Sequence, residues 1–169
     1  MTSEQYKQAA NYWKIKDQES VKMDRTTLFT LVKEYINANN VCALATGAGD
    51  FVRCTPIEYS YHDDAFWMFS EGGEKFIALE ENKKVCLAIF HKYEGFSNVK
   101  GMQIMGTATL IDYFSKEYIK AAEYKKIPLE TLKKFPEPLN LIKVLPIKVD
   151  FLNSEFKKYN VSSRQSLEF

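Results

Sequence analysis

The sequence predicts a mainly β fold: a small barrel of about six antiparallel strands with helices packed on its outside. Three observations carry that reading. Apolar, strand-like runs recur at Val41 to Thr46, Phe51 to Tyr61, Ala65 to Phe69, Lys84 to His91, Met102 to Asp112 and Leu141 to Phe151. Short turns at Gly47-Ala48-Gly49-Asp50 and His62-Asp63-Asp64 join the first three as antiparallel neighbours. Helical spacing is confined to a few segments, two or three of them substantial.

The first of these starts at Asp24, a side chain able to cap a helix. Leu28, Leu31, Val32, Tyr35 and Ile36 then follow at the three-and-four spacing of one buried stripe, and Asn39-Asn40 ends it. After the three-stranded meander, a helix is expected over Glu74 to Glu81, burying Phe76, Ile77 and Leu79, with Asn82 closing it. KVCLAIFH (Lys84 to His91) is apolar without alternation, the pattern of a strand buried on both faces at the centre of a sheet. In the strand from Met102 to Asp112, Gly106 marks a bulge or sharp bend. Ser115 can cap a helix over Lys116 to Lys126, and Pro128 opens a shorter one through Phe135 before Pro136 and Pro138. Pro146 assigns the last strand to a sheet edge or a bulge, because proline cannot donate to a ladder.

Composition bounds the function. A chain of 169 residues is one domain by size, with a core over roughly 24–151 and extensions at both ends. With 23 Lys and Arg against 22 Asp and Glu, there is no general electrostatic case for nucleic acid or an anionic membrane, so any anion site is local. Cys42, Cys54 and Cys86 lie in strand-like runs without a CxxC pair, as reduced, buried thiols of a cytoplasmic protein. The polar N-terminus carries no signal core, and no run is long and apolar enough to span a membrane. His62 and His91 are too few and too isolated for a metal cluster, and there is no GxSxG elbow.

The chemistry concentrates in Val52 to Lys75, VRCTPIEYSYHDDAFWMFSEGGEK. Alternation places Arg53, Thr55, Ile57 and Tyr59 on one strand face and Cys54, Pro56, Glu58 and Ser60 on the other. The next strand ends in Ser70, Gly72, Gly73 and Lys75: a hydroxyl, two open backbone positions and a cation, the groups a phosphate needs. Tyr59, Phe66, Trp67 and Phe69 are candidates to meet a flat ring. On these residues alone, a half-buried hairpin with an ordinary surface loop is an equal reading.

The ordered set decides between them. A helix, VCALAT, VRCTPIEY, AFWMF, SEGGEK, a helix ending in ENKKV, VCLAIF, GMQIMGTATLI and KVLPIKVDF together resemble the pyridoxamine 5'-phosphate oxidase-related family of FMN-binding split barrels, over Leu28 to Phe151. The resemblance implies a homodimer with FMN at the subunit interface. It implies that Arg53 and Lys75 contact the flavin phosphate, that Cys54, Thr55 and Pro56 lie along the ring, and that Phe69 and Ser70 lie near the ribityl phosphate, with backbone donors from Gly72 and Gly73. Glu74 stands where the oxidases have arginine, and their Arg-Gln pair falls on Lys100 and Gly101, with Gln103 two residues on as the group able to reach a ring edge. The tail SSRQSLEF lacks the Arg-Leu-x-Pro ending tied to vitamin B6 handling. The implied function is therefore an FMN-dependent oxidoreductase passing electrons from a reduced nicotinamide donor to a small acceptor other than a B6 vitamer. A non-catalytic flavin- or haem-binding protein is the alternative, and no catalytic residue is assigned.

Overall fold

The computed structural model describes residues 1–169, with five α-helices and eight β-strands. α1 (Ser3–Gln18) opens on a capping box, in which the Thr2 hydroxyl accepts from the Gln5 amide and the Gln5 side-chain oxygen accepts from the Thr2 amide, yet it buries no residue. α2 (Arg25–Asn37) is capped by Asp24, whose carboxylate accepts from the Thr27 amide, and it buries Leu28, Val32, Tyr35 and Ile36 as the spacing predicts. β1 (Val41–Ala48) and β2 (Phe51–Glu58) form a hairpin, and β3 (Ser60–His62) and β4 (Ala65–Ser70) form another. Then come α3 (Lys75–Glu81), β5 (Lys84–Phe90), β6 (Lys100–Ile111), α4 (Lys116–Tyr124), α5 (Leu129–Leu132), β7 (Asn140–Asn153) and β8 (Arg164–Glu168).

The strands pair in the order β2-β1-β5-β6-β7-β4-β3, with β8 also on β7. β2 and β3 are consecutive in the chain but stand at opposite ends of this order, so the sheet curls until its two ends meet at Tyr59. That residue pins the seam: its amide donates to Asn40 O and its hydroxyl to Ile36 O, both at 2.7 Å. The expected strand from Phe51 to Tyr61 is thus two strands, broken where one chain must serve both ends.

Long strand β7 holds the barrel together. β6 pairs with it along its length; on the other side β4 takes Asn140 to Val144 and β8 takes Lys148 to Leu152. Pro146 falls in the gap between those two partners and opposite the bulge at Met105/Gly106. The strand is therefore central, not an edge, and the missing N–H is accommodated by the bulge. Gly106 is required there, since a Cβ would lie 2.6 Å from Val144 Cγ1 and 2.7 Å from Leu145 O.

Two cores fill the molecule. The larger lies inside the curl, where Val32, Ile36, Leu44, Leu87, Ile104, Val144 and Phe151 are fully or almost fully buried. A second, smaller one forms where α4 covers the outer face of β4, with Trp67 against Tyr118, Ala121 and Leu132. Consequently β4, not β5, is the strand buried on both faces. β5 alternates, with Val85, Leu87 and Ile89 inward, Cys86 and Ala88 half-buried and Phe90 68% exposed, and β6 occupies the centre. Helix α3 turns Lys75, Ala78 and Leu79 inward and leaves Ile77 54% exposed, against the expected burial of Ile77. Phe76 packs only partly against the larger core.

Candidate functional site

The first cluster forms where α3 packs beside the β1–β2 hairpin. Gly72 and Gly73, at φ 150° and 109°, let the chain turn sharply out of β4, and Ser70 Oγ braces the loop by accepting from the Gly72 amide at 3.3 Å. Asn140 Nδ2 holds the same loop through Ser70 O at 3.3 Å. The turn delivers Lys75 inward. Its side chain is 5% exposed and its ammonium donates to Gly72 O. Burial, and then the guanidinium of Arg53 beside it, push the Lys75 pKa below its ordinary value of 10.5.

Arg53 is half exposed and forms an ion pair with Glu74 at 2.7 Å. Glu74 thus occupies one edge of the guanidinium. Across the hairpin, Arg53 is in register with Thr46, whose hydroxyl is buried without a hydrogen-bond partner. Two neighbouring cations thus have a single carboxylate, that of Glu74 on Arg53, and an unsatisfied hydroxyl stands in register with one of them. An oxyanion entering there would satisfy the hydroxyl and relieve the repulsion between the cations, so the residues present suit a phosphate-bearing group. Thr46 is the residue sequence reading passed over; it sits in an apolar strand and only the register brings it to Arg53.

The remaining candidates are dispersed. Cys54 and Pro56 point to the outer face of the sheet, where successive rows run Cys54, Ala45, Cys86, Met105 and Pro56, Ala43, Ala88, Gln103. Cys54 is exposed, contrary to the expectation of a buried thiol, because nothing in the chain covers this half of the outer face. Gln103 shares the row of Pro56 but lies three strands away, roughly 14 Å along the sheet. Lys100 lies on the opposite face, 3.5 Å from Glu155 and over the Tyr35 ring, so it and Gln103 do not act together within one chain. Thr55 is half-buried on the Arg53 side of the strand. Phe69 is half-buried, edge-on to Tyr118. Tyr59, Phe66 and Trp67 are sealed in the two cores and are not free to meet a ring. His91 Nε2 donates to Asn39 Oδ1 at 3.4 Å, and no three metal-ligating side chains come together.

A family model described as pyridoxamine 5'-phosphate oxidase matches residues 29–152. No curated protein matches the chain. Among solved structures, an FAD-binding protein from Mesorhizobium loti is 18% identical, over 71% of this chain and 88% of that one, with a TM-score of 0.58. The haem storage protein HutZ from Vibrio cholerae is 13% identical over 69% and 88%, with a TM-score of 0.57. A provisionally named pyridoxamine 5'-phosphate oxidase from Listeria innocua is 20% identical over 75% and 98%, with a TM-score of 0.59. At these identities the likenesses speak for the fold, the split barrel. With the family match running from α2 to the end of β7, and the curled antiparallel sheet agreeing with it, the chain belongs to the pyridoxamine 5'-phosphate oxidase family.

Proposed function

We propose that this protein binds FMN and acts as an oxidoreductase, taking electrons from a reduced nicotinamide for a small acceptor. The observation that carries the binding is the buried Lys75 ammonium beside Arg53 and the unpartnered Thr46 hydroxyl. Lys75 and Arg53 would hold the phosphate, with Ser70 fixing the loop between them. The backbone from Cys54 to Pro56 would lie along the ring. A bound flavin supplies the redox chemistry, and the chain positions it and keeps water from one face. The uncovered outer face, with Phe90 68%, Met105 47% and Leu145 48% exposed, supports an isologous partner that would complete the site from its own Gln103.

FMN and riboflavin titrations on the protein and on Lys75→Ala test this. Losing one charge-assisted contact costs about 1.5–3 kcal/mol, or one to two decades in FMN affinity, while riboflavin binding stays unchanged. Equal losses for both ligands in a folded variant would remove the phosphate role. Bleaching of the bound flavin by NADH or NADPH tests the electron-transfer half. A haem-holding reading has one observation behind it: His91 lines an outer cavity of about 320 Å³ with Phe90 and Tyr93. A Soret band lost in His91→Ala would favour it over flavin.

A further inference from the structure

α1 is capped and runs for 16 residues, yet it buries nothing. A helix of that length is marginal in water by itself, so an apolar face left bare on it asks for cover. Tyr6, Ala9, Ala10 and Trp13 recur at the i, i+3, i+4, i+7 spacing of one face. Only the end of that face rests on its own chain: the Trp13 ring lies 4.4 Å from the Arg164 guanidinium, whereas Tyr6 is 65% exposed and Ala9 and Ala10 are open to solvent. The face is thus two aromatic rings with a small-residue notch between them, overhanging the body. Along its flank Lys7 and Lys14 have no carboxylate partner, while Lys16 pairs with Glu19 at 3.8 Å and Asp17 with Lys22.

Register fixes where this arm stands. Arg164, Leu152, Gly101 and Phe90 form one outer-face row across β8, β7, β6 and β5. α1 covers the β8 end of the row, and the loop after β5 leaves from the other end. That loop carries Phe96, 90% exposed, and Tyr93, 61% exposed, with the two rings edge-on at 6.0 Å. It is a fixed knob: Ser154 Oγ donates to Phe96 O and accepts from the Val99 amide, both at 3.1 Å, and the Asn98 amide closes the turn on Gly95 O at 3.0 Å. The Glu94 carboxylate beside it meets only the Asn98 side-chain amide, at 3.2 Å. Within one chain the arm and the knob do not meet, since both are left exposed.

We infer that α1 is a docking arm for a second copy of this chain: the notch at Ala9 and Ala10 receives the partner's Phe96, and Lys7 and Lys14 flank the partner's Glu94. Two-fold symmetry carries the match. An axis running along the strands, between two facing outer faces, reverses the row, so the β8 end of one chain lies over the β5 end of the other and the contact is made twice. Small residues let a ring approach the helix backbone closely, and an aromatic anchor seated in such a notch dominates an interface energetically. Charges of opposite sign, each without an ion-pair partner in its own chain, set the register. The arm rests on the isologous pairing proposed for the outer face and names a contact of it, and it draws on none of the residues proposed to hold the flavin.

Sedimentation equilibrium of the full chain tests this through the dissociation constant of the dimer, expected at about 1 μM or tighter. Phe96→Ser and Ala10→Gln, both at exposed positions, should each raise it about ten- to a hundredfold while circular dichroism stays as in the parent. Their combination should cost no more than the larger single change, because one contact is lost only once. Glu94→Lys should weaken the dimer about three- to tenfold, and adding Lys7→Glu and Lys14→Glu should bring it back. A dimer unaltered in either Phe96→Ser or Ala10→Gln, losses that multiply in the combination, or no recovery on charge reversal would overturn the arm and leave the pairing standing. A parent that stays monomeric at about 100 μM would overturn the pairing, and the arm with it. If Phe96→Ser fails to fold, Ala10→Gln and the charge reversal decide.

Discussion

In the proposed phosphate site Glu74 is the group that would oppose the anion, and Glu74→Gln is the perturbation that tests it. Its carboxylate sits 2.7 Å from Arg53, with the two side chains 58% and 51% exposed. An ion pair this open contributes about 0.2–1 kcal/mol to stability, so the variant should melt close to the parent. Its effect on a phosphate is larger. Were a phosphate of nearly two charges held by Arg53 at about 6 Å from that carboxylate, the repulsion would be roughly 1–1.5 kcal/mol even at a water-like dielectric, and the substitution would also release Arg53 to bind it. FMN should therefore bind about 5- to 30-fold more tightly to Glu74→Gln, a gain of about 1–2 kcal/mol. Riboflavin affinity should not change, and the FMN gain should shrink as salt is raised past the Debye screening of an exposed site. Isothermal titration of both ligands at two ionic strengths measures this. Unchanged FMN affinity, or an equal gain for riboflavin, would refute the placement of the phosphate between Arg53 and Lys75.

Two further outcomes follow from the same structure. Because burial lowers the Lys75 pKa, the unfolded chain holds more protons than the folded one between that lowered value and 10.5, so stability in urea should rise with pH across this window. FMN affinity should fall over the same range as the ammonium is lost, and Lys75→Met should flatten both slopes. At the bulge, Gly106→Ala should destabilise by about 1–3 kcal/mol, read as a lowered urea midpoint at unchanged slope, because the new methyl meets the Leu145 carbonyl at 2.7 Å as well as the Val144 side chain.

Local chemistry made much of this protein legible in one dimension. Asp24 followed by a periodic stripe specifies α2, since capping and amphipathic spacing act within a few residues. Gly47 to Asp50 and His62 to Asp64 specify their reversals for the same reason, and the ordered strand pattern carries the family. The two cations of the candidate site were legible as residue types in a glycine-bearing loop. β8 was not, because RQSLE has a weak alternation of its own and becomes a strand only where β7 offers a free edge beyond Pro146. Nor was α1, since a helix that buries nothing leaves no apolar stripe to read.

What tertiary structure alone decided is which groups share a place. The sequence presents Phe51 to Tyr61 as one strand; only the closing of the sheet at Tyr59 splits it, because a single segment must pair with β1 at one end and β4 at the other. Burial on both faces passes from β5 to β4 because α4 arrives over β4 from fifty residues further along the chain, a long-range packing event invisible to hydrophobic pattern. The pairing of Arg53 with Glu74, the register that sets Thr46 opposite Arg53, and the row that sets Arg164 in line with Gly101 all depend on strand pairing between distant segments. Residue type and short-range spacing determine which groups are available. Register and closure, which are set by the burial of one whole face at once, determine which of them meet.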